Sequence, residues 1–307
     1  MKTSVIIVTY NGMKWIKNCL ESILKSTIPI SIIVVDNCSN DGTVEFIKVN
    51  FPRVNLIEQR ENLGFGKANN IGISLALKAS SEYVFLLNQD AFIEENTIEK
   101  LIEVSQQNLK YGILSPIHAD GDGTKLDESF CYYIGKSCGQ SFISDLILNK
   151  TKKDIYSLPM INAAAWLIPK ITLENVGGFD TSFFLYGEDD NYCQRVLYNN
   201  FQIGIVPTAF IRHDSDNNNT KEIIKGSEKY YAKFLNHIKV SYGNVNTDNY
   251  KNVSKLKYSF LKKSIISLIK FDLADFKINW TKAKLLAGEN LKEKVLFNRQ
   301  KGKNYLE

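Results

Sequence analysis

Three groups of residues in this chain carry side chains able to move a proton or hold a cation. Gly187-Glu188-Asp189-Asp190 follows the aromatic run Phe183-Phe184-Leu185-Tyr186 and opens an amphipathic helix backed by Cys193, Val196 and Leu197. Carboxylates are favoured at helix N-termini on electrostatic grounds, so taken alone the cluster reads most simply as a helix start. Two further acids change that reading. Asp36 closes the apolar run Ile32-Ile33-Val34-Val35, and Asn88-Gln89-Asp90 closes Tyr83-Val84-Phe85-Leu86-Leu87. Acids gathered at the ends of three separate elements are what a catalytic arrangement requires.

The elements that must position them follow from hydrophobic periodicity. Val5-Ile6-Ile7-Val8 and Ile32-Ile33-Val34-Val35 are short continuous apolar runs, the pattern of strands buried on both faces. Between them Trp15, Ile16, Cys19, Leu20, Ile23 and Leu24 recur at helical spacing. A helix over 43–49, a strand over 54–57, a helix carrying Ala68, Ile71, Leu75 and Ala76, and a strand over 83–87 complete the series. Such alternation predicts an α/β fold, a largely parallel sheet with helices on both sides. Ligands of such sheets lie beyond the carboxyl ends of the strands, where Asp36 and Asp90 fall. Past residue 112 the order loosens: residues 160–168 and 201–206 read as strands, and the chain from about 221 reads as helical with frequent lysine.

The 307 residues, 44% of them hydrophobic, suffice for one large domain with an appendage. No signal peptide and no membrane-spanning run are read, and Cys19, Cys38, Cys131, Cys138 and Cys193 form no C-x-x-C pair, so a reducing cytoplasm is expected. The net charge of +5 is unevenly spread: residues 251–307 hold 13 Lys and one Arg against five acids, and the rest is net acidic. That asymmetry suits an anionic surface or a solvated helical face.

A nicotinamide-binding domain would need G-x-G-x-x-G after the first strand; Thr9-Tyr10-Asn11-Gly12 stands there instead. The segments SVIIVTYN (4–11), VVDNCSNDGT (34–43), ENLGFGKANNIGI (61–73), LLNQDAFI (86–93), INAAAWLI (161–168) and GGFDTSFFLYGEDDNYCQRV (177–196) resemble glycosyltransferase family 2, in its order and spacing. The similarity is greatest to the rhamnosyltransferase-like branch of inverting enzymes and covers about residues 3–215. It implies a GT-A fold over 1–220, a nucleotide-sugar donor, dTDP-rhamnose before UDP-sugars, and Mg²⁺ or Mn²⁺. The acceptor it implies is a hydroxyl of a glycan or lipid-linked saccharide in surface-polysaccharide synthesis.

The same resemblance distributes roles. Asp189 matches the catalytic base, with Glu188 as its substitute. Thr9 and Asn11 match positions that contact the nucleoside through the backbone; Asp36 matches the one accepting from the pyrimidine ring, with capping of the Asn37–Gly42 turn as the alternative; and Lys67 lies where it could approach the diphosphate, with a solvated helix lysine as the alternative. Asn88-Gln89-Asp90 takes the place of the family's D-x-D, so Asp90 is expected on the metal and Asn88 on the ribose or a metal-bound water. The neutral Asn88 departs from that pattern. His213 matches a second metal ligand, with a surface histidine as the alternative. Trp166 is expected to wall the sugar or acceptor pocket, with a core tryptophan as the alternative. An inverting transfer needs one base and a cation for the departing diphosphate, rather than the paired carboxylates of glycoside hydrolysis.

Two other readings stay open on sequence: a catalytically degenerate sugar-nucleotide binding or scaffolding protein, and a sugar-1-phosphate nucleotidyltransferase. The second lacks its Gly-rich, Arg-containing loop after the first strand. The basic region 221–307 is expected to touch the inner face of the cell membrane peripherally, or to pack on the core or a second subunit, a homo-oligomer. Nucleic acid is excluded as a partner because an acidic catalytic core would repel its phosphates.

Overall fold

The computed structural model describes residues 2–137, 139–215 and 223–307, so Cys138 and Asn217 to Asn219 lie outside it. The chain divides into two compact units, Met1–Asp216 with Lys301–Glu307, and Asn217–Gln300.

The first unit opens with β1 (Thr3–Thr9), α1 (Ile16–Leu24), β2 (Ile30–Asp36), α2 (Thr43–Asn50), β3 (Asn55–Glu58), α3 (Phe65–Lys78) and β4 (Tyr83–Asn88). Then come β5 (Ala91–Ile93), α4 (Thr97–Gln107), β6 (Tyr111–Asp120), α5 (Glu128–Ser137) and α6 (Gly139–Ile147). It closes with β7 (Tyr156–Leu158), β8 (Ala165–Pro169), α7 (Lys170–Val176), α8 (Glu188–Tyr198) and β9 (Gln202–His213). The sheet order is β3-β2-β1-β4-β8-β6-β9-β5, with β7 on β9. Strands β3, β2, β1 and β4 run parallel; β8 is antiparallel to β4 and β6, and β6 is parallel to β9. The largely parallel expectation therefore holds for the first half only.

Period-two alternation along β1 explains why the sheet is covered on both faces. Val5 and Ile7 pack with Ile16, Cys19, Leu20 and Ile23 of α1, whereas Ile6 packs with Ala68, Ile73 and Ala76 of α3. The side chains of Val5, Ile6 and Ile7 are thus removed from water on one face or the other, which is why the centre of the strand is apolar.

Two sequence expectations change here. Residues 160–168 are not one strand, because β8 starts only at Ala165 and the preceding residues are irregular. The second reads much longer than 201–206: β9 continues to His213, burying Ala209, Ile211 and His213 while Thr208, Phe210 and Arg212 face outward. The basic C-terminal region expected over 221–307 also gives up its last seven residues to the first unit. Gly178 N–H donates to Asn304 O at 2.8 Å, Gly302 N–H to Asn175 O at 2.9 Å, and the Arg195 guanidinium lies 5.1 Å from the Tyr305 ring.

The second unit contains α9 (Glu228–Tyr242), α10 (Val253–Ile269), α11 (Leu273–Gly288) and α12 (Leu291–Asn298). Its small core gathers Ile238, Leu286 and Leu291 with Phe234, Leu256 and Phe260. Among the described residues no helix is long and apolar enough to cross a membrane.

Candidate functional site

The carboxyl ends of β1, β2 and β4 open into a cleft of about 260 Å³ lined by Tyr10, Asn37, Gly64, Asn88, Gln89, Asp90, Phe184 and Leu185, among others. One wall is the loop after β1. Gln89 fixes it by pairing its side-chain amide with the Tyr10 backbone in both directions, accepting from N–H at 3.0 Å and donating to the carbonyl at 3.2 Å. Asp36 organises the adjoining turn. Its Oδ1 accepts from Thr9 Oγ1 at 2.8 Å and Ser39 Oγ at 2.5 Å, and its Oδ2 accepts from Ser39 N–H at 2.9 Å. Asn11, at φ 50°, ties the two loops together, donating its N–H to Ser39 Oγ and accepting from Asn40 N–H. Asp36 is only 1% exposed and Thr9 is fully buried, its carbonyl taken by Asn37 N–H at 2.7 Å. The Thr9 side chain therefore positions Asp36, and the backbone contact expected of Thr9 would share a carbonyl that already accepts from Asn37 N–H.

The opposite wall is the aromatic loop. Phe184 and Leu185 are 58% and 45% exposed, large apolar side chains left to face a polar cleft. Gly64 holds this wall in place: the Phe65 N–H bonds the Phe184 carbonyl at 3.1 Å. Gly64 has φ 80°, and a Cβ there would lie 2.2 Å from the Phe184 oxygen. Gly64→Ala is therefore expected to lower unfolding free energy by about 1–3 kcal/mol through left-handed strain and displacement of the loop. Urea denaturation checks it, and an unchanged midpoint would mean that the wall yields freely.

Pairing of β5 with β9 sets Ala91 opposite His213, which brings Asp90 to the histidine. His213 Nε2 lies 3.4 Å from Asp90 Oδ1, and Nδ1 lies 3.4 Å from Asp127 Oδ2. Burial alone would depress the imidazole, but Asp127 and Asp90 outweigh it and raise the pKa to about 9. Asp127 is itself 2% exposed and held by Phe130 N–H at 2.8 Å and Ser215 Oγ at 3.1 Å. Its carboxylate is kept below the ordinary range despite burial, by His213 and the Phe130 N–H. His118, beneath them, is driven down to about 3 by burial and then by His213, so it is neutral; its Nε2 sits 3.0 Å from Ser115 Oγ.

This donor set fits a divalent cation. Once a cation displaces the imidazolium proton, a carboxylate oxygen and an imidazole nitrogen would be neighbouring donors, with the ring's far nitrogen facing a second carboxylate, the outer partner that metal-binding histidines ordinarily have. Among the described residues no group of three or more His, Cys, Asp or Glu is placed to hold a metal, so Asp90 and His213 would leave further positions to a ligand and water. Asp127 was not singled out in the sequence; nothing in Asp122 to Ser129 distinguishes it from a surface acid.

Helix α8 starts at Gly187, φ 95°, and no side chain caps it. The Glu188 and Asp189 carboxylates of the first turn lie against N–H groups of this helix start, where negative charge is favoured. Asp189 is half-buried; Oδ1 accepts from Asp190 N–H at 2.9 Å, and Ala163 N–H also bonds the carboxylate. The next residue, Ala164, accepts from Asn88 N–H at 2.9 Å. The short irregular stretch before β8 therefore ties the acid of α8 to the end of β4. Burial raises the Asp189 pKa against those N–H donors.

Glu188 is 4% exposed with Oε2 unpartnered, and burial followed by Asp189 pushes its pKa up to about 7. A raised carboxyl pKa favours folding below the unfolded pKa, and that contribution is lost as pH rises through the folded pKa. Glu188→Gln should thus match the parent near pH 4 and become more stable than it between pH 5 and 8, reaching on the order of 3 kcal/mol. Denaturant titration at the two extremes measures it; equal stability at both would show that Glu188 stays ionised.

Two sequence assignments fail. Trp166 is fully buried on β8, between β4 and β6, with its ring stacked 6.0 Å from Phe179, so it is a core residue and walls no pocket. Lys67 is exposed on α3 and lines a different cavity, of about 380 Å³, with Asn70, Ser74 and Tyr305. Nothing places it beside Asp90.

Comparison with known proteins bears on this geometry. Residues 4–141 match the sequence model described as Glycosyl transferase family 2. The chain is 26% identical over 262 residues to the low-salt glycan biosynthesis hexosyltransferase Agl10 of Haloferax volcanii, covering 84% of this chain and 80% of that protein. It is 23% identical over 229 residues to an N-acetylglucosaminyl-diphospho-decaprenol L-rhamnosyltransferase of Mycobacterium tuberculosis, covering 68% and 75%. The crystal structure of GalNAc-T7 with UDP, GalNAc and Mn²⁺ superposes with a TM-score of 0.61 at 18% identity, over 85% of this chain and 51% of that one. This chain spans about half the length of that structure, and the likeness is one of fold.

Proposed function

This chain is a family 2 glycosyltransferase with a GT-A fold, and from that premise we propose that it transfers a sugar with inversion from a nucleoside diphosphate to a hydroxyl. dTDP-L-rhamnose is the favoured donor, and a glycan or lipid-linked saccharide of surface-polysaccharide synthesis the acceptor, used at the cytoplasmic face of the membrane. The named specificity of the mycobacterial relative supports both choices.

The observation that carries the reading is the link from Asn88 through Ala164 and Ala163 to Asp189, which sets a raised carboxylate against the strand end leading to Asp90. The nucleoside is held against the Asp36–Asn37 turn, with Asn88 toward the ribose and Phe184 across the cleft. Asp90 and His213 would hold Mg²⁺ or Mn²⁺, which would supply positive charge for the departing diphosphate. Asp189 takes the acceptor's hydroxyl proton as its oxygen bonds to the anomeric carbon and the bond to the diphosphate breaks. Asp127 keeps the His213 ring turned with Nε2 toward Asp90.

A panel of nucleoside-diphosphate sugars tests the proposal, first by thermal shift with Mn²⁺ and then by nucleotide release with a polyprenyl-diphosphate saccharide. A selective ligand at 100 times its Kd stabilises by about 2.7 kcal/mol. Stabilisation by one donor and acceptor-dependent nucleotide release are expected. Selective binding with no release under any acceptor would favour the degenerate binding protein.

A further inference from the structure

The sequence left two uses for the basic region 221–307, packing or membrane contact, and only part of the apolar surface of α10 is packed away. Leu256 and Phe260, in the first half of α10, pack into the core of the helical unit. The second half of α10 and the start of α11 remain open. Ile265 is 57% exposed, Leu268 47%, Ile269 71%, Phe271 90% and Leu273 67%.

The turn itself is unusual. Phe271 N–H bonds Leu268 O at 3.0 Å and Asp272 N–H bonds Ser267 O at 2.9 Å, a helix ending that places Phe271 at φ 57°. Glycine suits that position, and an aromatic there accepts backbone strain while its ring contributes little to packing. The fold alone gives no reason for phenylalanine. Lys270 stands exposed at the turn, and Lys262 and Lys263 stand exposed further back on α10, Lys263 Nζ 5.5 Å from the Phe260 ring centroid. Two acids also lie here: Asp272 Oδ1 accepts from Asp275 N–H at 2.9 Å, and Asp275 Oδ1 meets Lys225 Nζ at 2.7 Å.

We propose that the α10–α11 turn is a membrane-docking tip, inserting Ile269, Phe271 and Leu273 among lipid chains while Lys262, Lys263 and Lys270 meet anionic headgroups. An exposed apolar turn with lysines at it and on the helix leading to it suits a partner that is apolar within and negative at its surface, and an anionic bilayer offers both. A second copy would bring the same lysines face to face. The inference specifies the peripheral contact expected of the basic region and does not rest on the transfer reaction. Phosphatidylglycerol is the chemistry to try first.

The test uses the full chain without nucleotide or acceptor. Sedimentation with phosphatidylcholine vesicles containing phosphatidylglycerol is compared with phosphatidylcholine alone, for the parent, Phe271→Gly with Ile269→Ser, and Lys262, Lys263 and Lys270→Gln. The parent is expected to bind the anionic vesicles, and either variant to bind at least about tenfold more weakly while melting no lower than the parent by more than a few degrees. Glycine relieves the strain at position 271, so Phe271→Gly alone should keep or raise the melting temperature. No binding to anionic vesicles by the parent, or binding unaffected by both variants, overturns the proposal. So does a dimer in ultracentrifugation that the apolar variant dissolves, which would assign the apex to a second copy.

Discussion

Asp189→Asn is expected to lower the turnover number for glycosyl transfer by about 10²–10⁴-fold and to leave donor affinity within a few-fold. The amide keeps the shape and can still accept the Asp190 N–H, so the helix start should survive. What it loses is the ability to take a proton. The carboxylate suits that task because burial raises its pKa, which makes it a stronger base than an exposed aspartate while backbone N–H groups keep it oriented. Initial rates with saturating donor, set beside calorimetric donor affinity, separate the two effects. Near-normal turnover would remove Asp189 as the base and turn attention to Glu188, whose pKa of about 7 also lies near neutrality.

The second large effect concerns the cation. Asp90→Ala and His213→Ala should each weaken the Mn²⁺-dependent binding of a nucleoside diphosphate by at least about tenfold and leave the free nucleoside nearly unaffected. Asp127→Asn should fall in the same direction, since loss of the outer carboxylate frees the imidazole 3.4 Å away to turn. Asp36→Ala should do the opposite and weaken even the nucleoside, because the turn built on Thr9 and Ser39 loses its centre. Titration calorimetry with and without Mn²⁺ measures all four. Metal-dependent affinity untouched in His213→Ala would make that histidine a structural residue.

How much of this the sequence carried can be argued residue by residue. Val5-Ile6-Ile7-Val8 and Tyr83-Val84-Phe85-Leu86-Leu87 announced themselves because a strand covered on both faces admits no polar residue, and both became inner strands. Asp36 and His213 close strands, Asp90 follows one and Asp189 opens α8; the family pattern drew attention to all four, and the structure brings Asp90 to His213. Trp166 misled because a tryptophan next to small alanines fits a pocket wall as well as a core. Only the insertion of β8 between β4 and β6, a pairing far apart in sequence, shows it to be buried. Lys67 is a matter of helix phase: one face of α3 packs on the sheet, and the lysine belongs to another. Asp127 left no local signal, since its value comes from the meeting of the β6–α5 connection with the end of β9. The same holds for Gln89, whose clamp on Tyr10 spans 79 residues.

The most direct measurement is anomalous diffraction from crystals grown with Mn²⁺ and dTDP. The account predicts a manganese peak bonded to Asp90 Oδ1 and His213 Nε2, with the diphosphate completing its coordination and the pyrimidine against the Asp36–Asn37 turn. Manganese bound elsewhere, or nucleotide seated in the cavity lined by Lys67 and Tyr305, would contradict it.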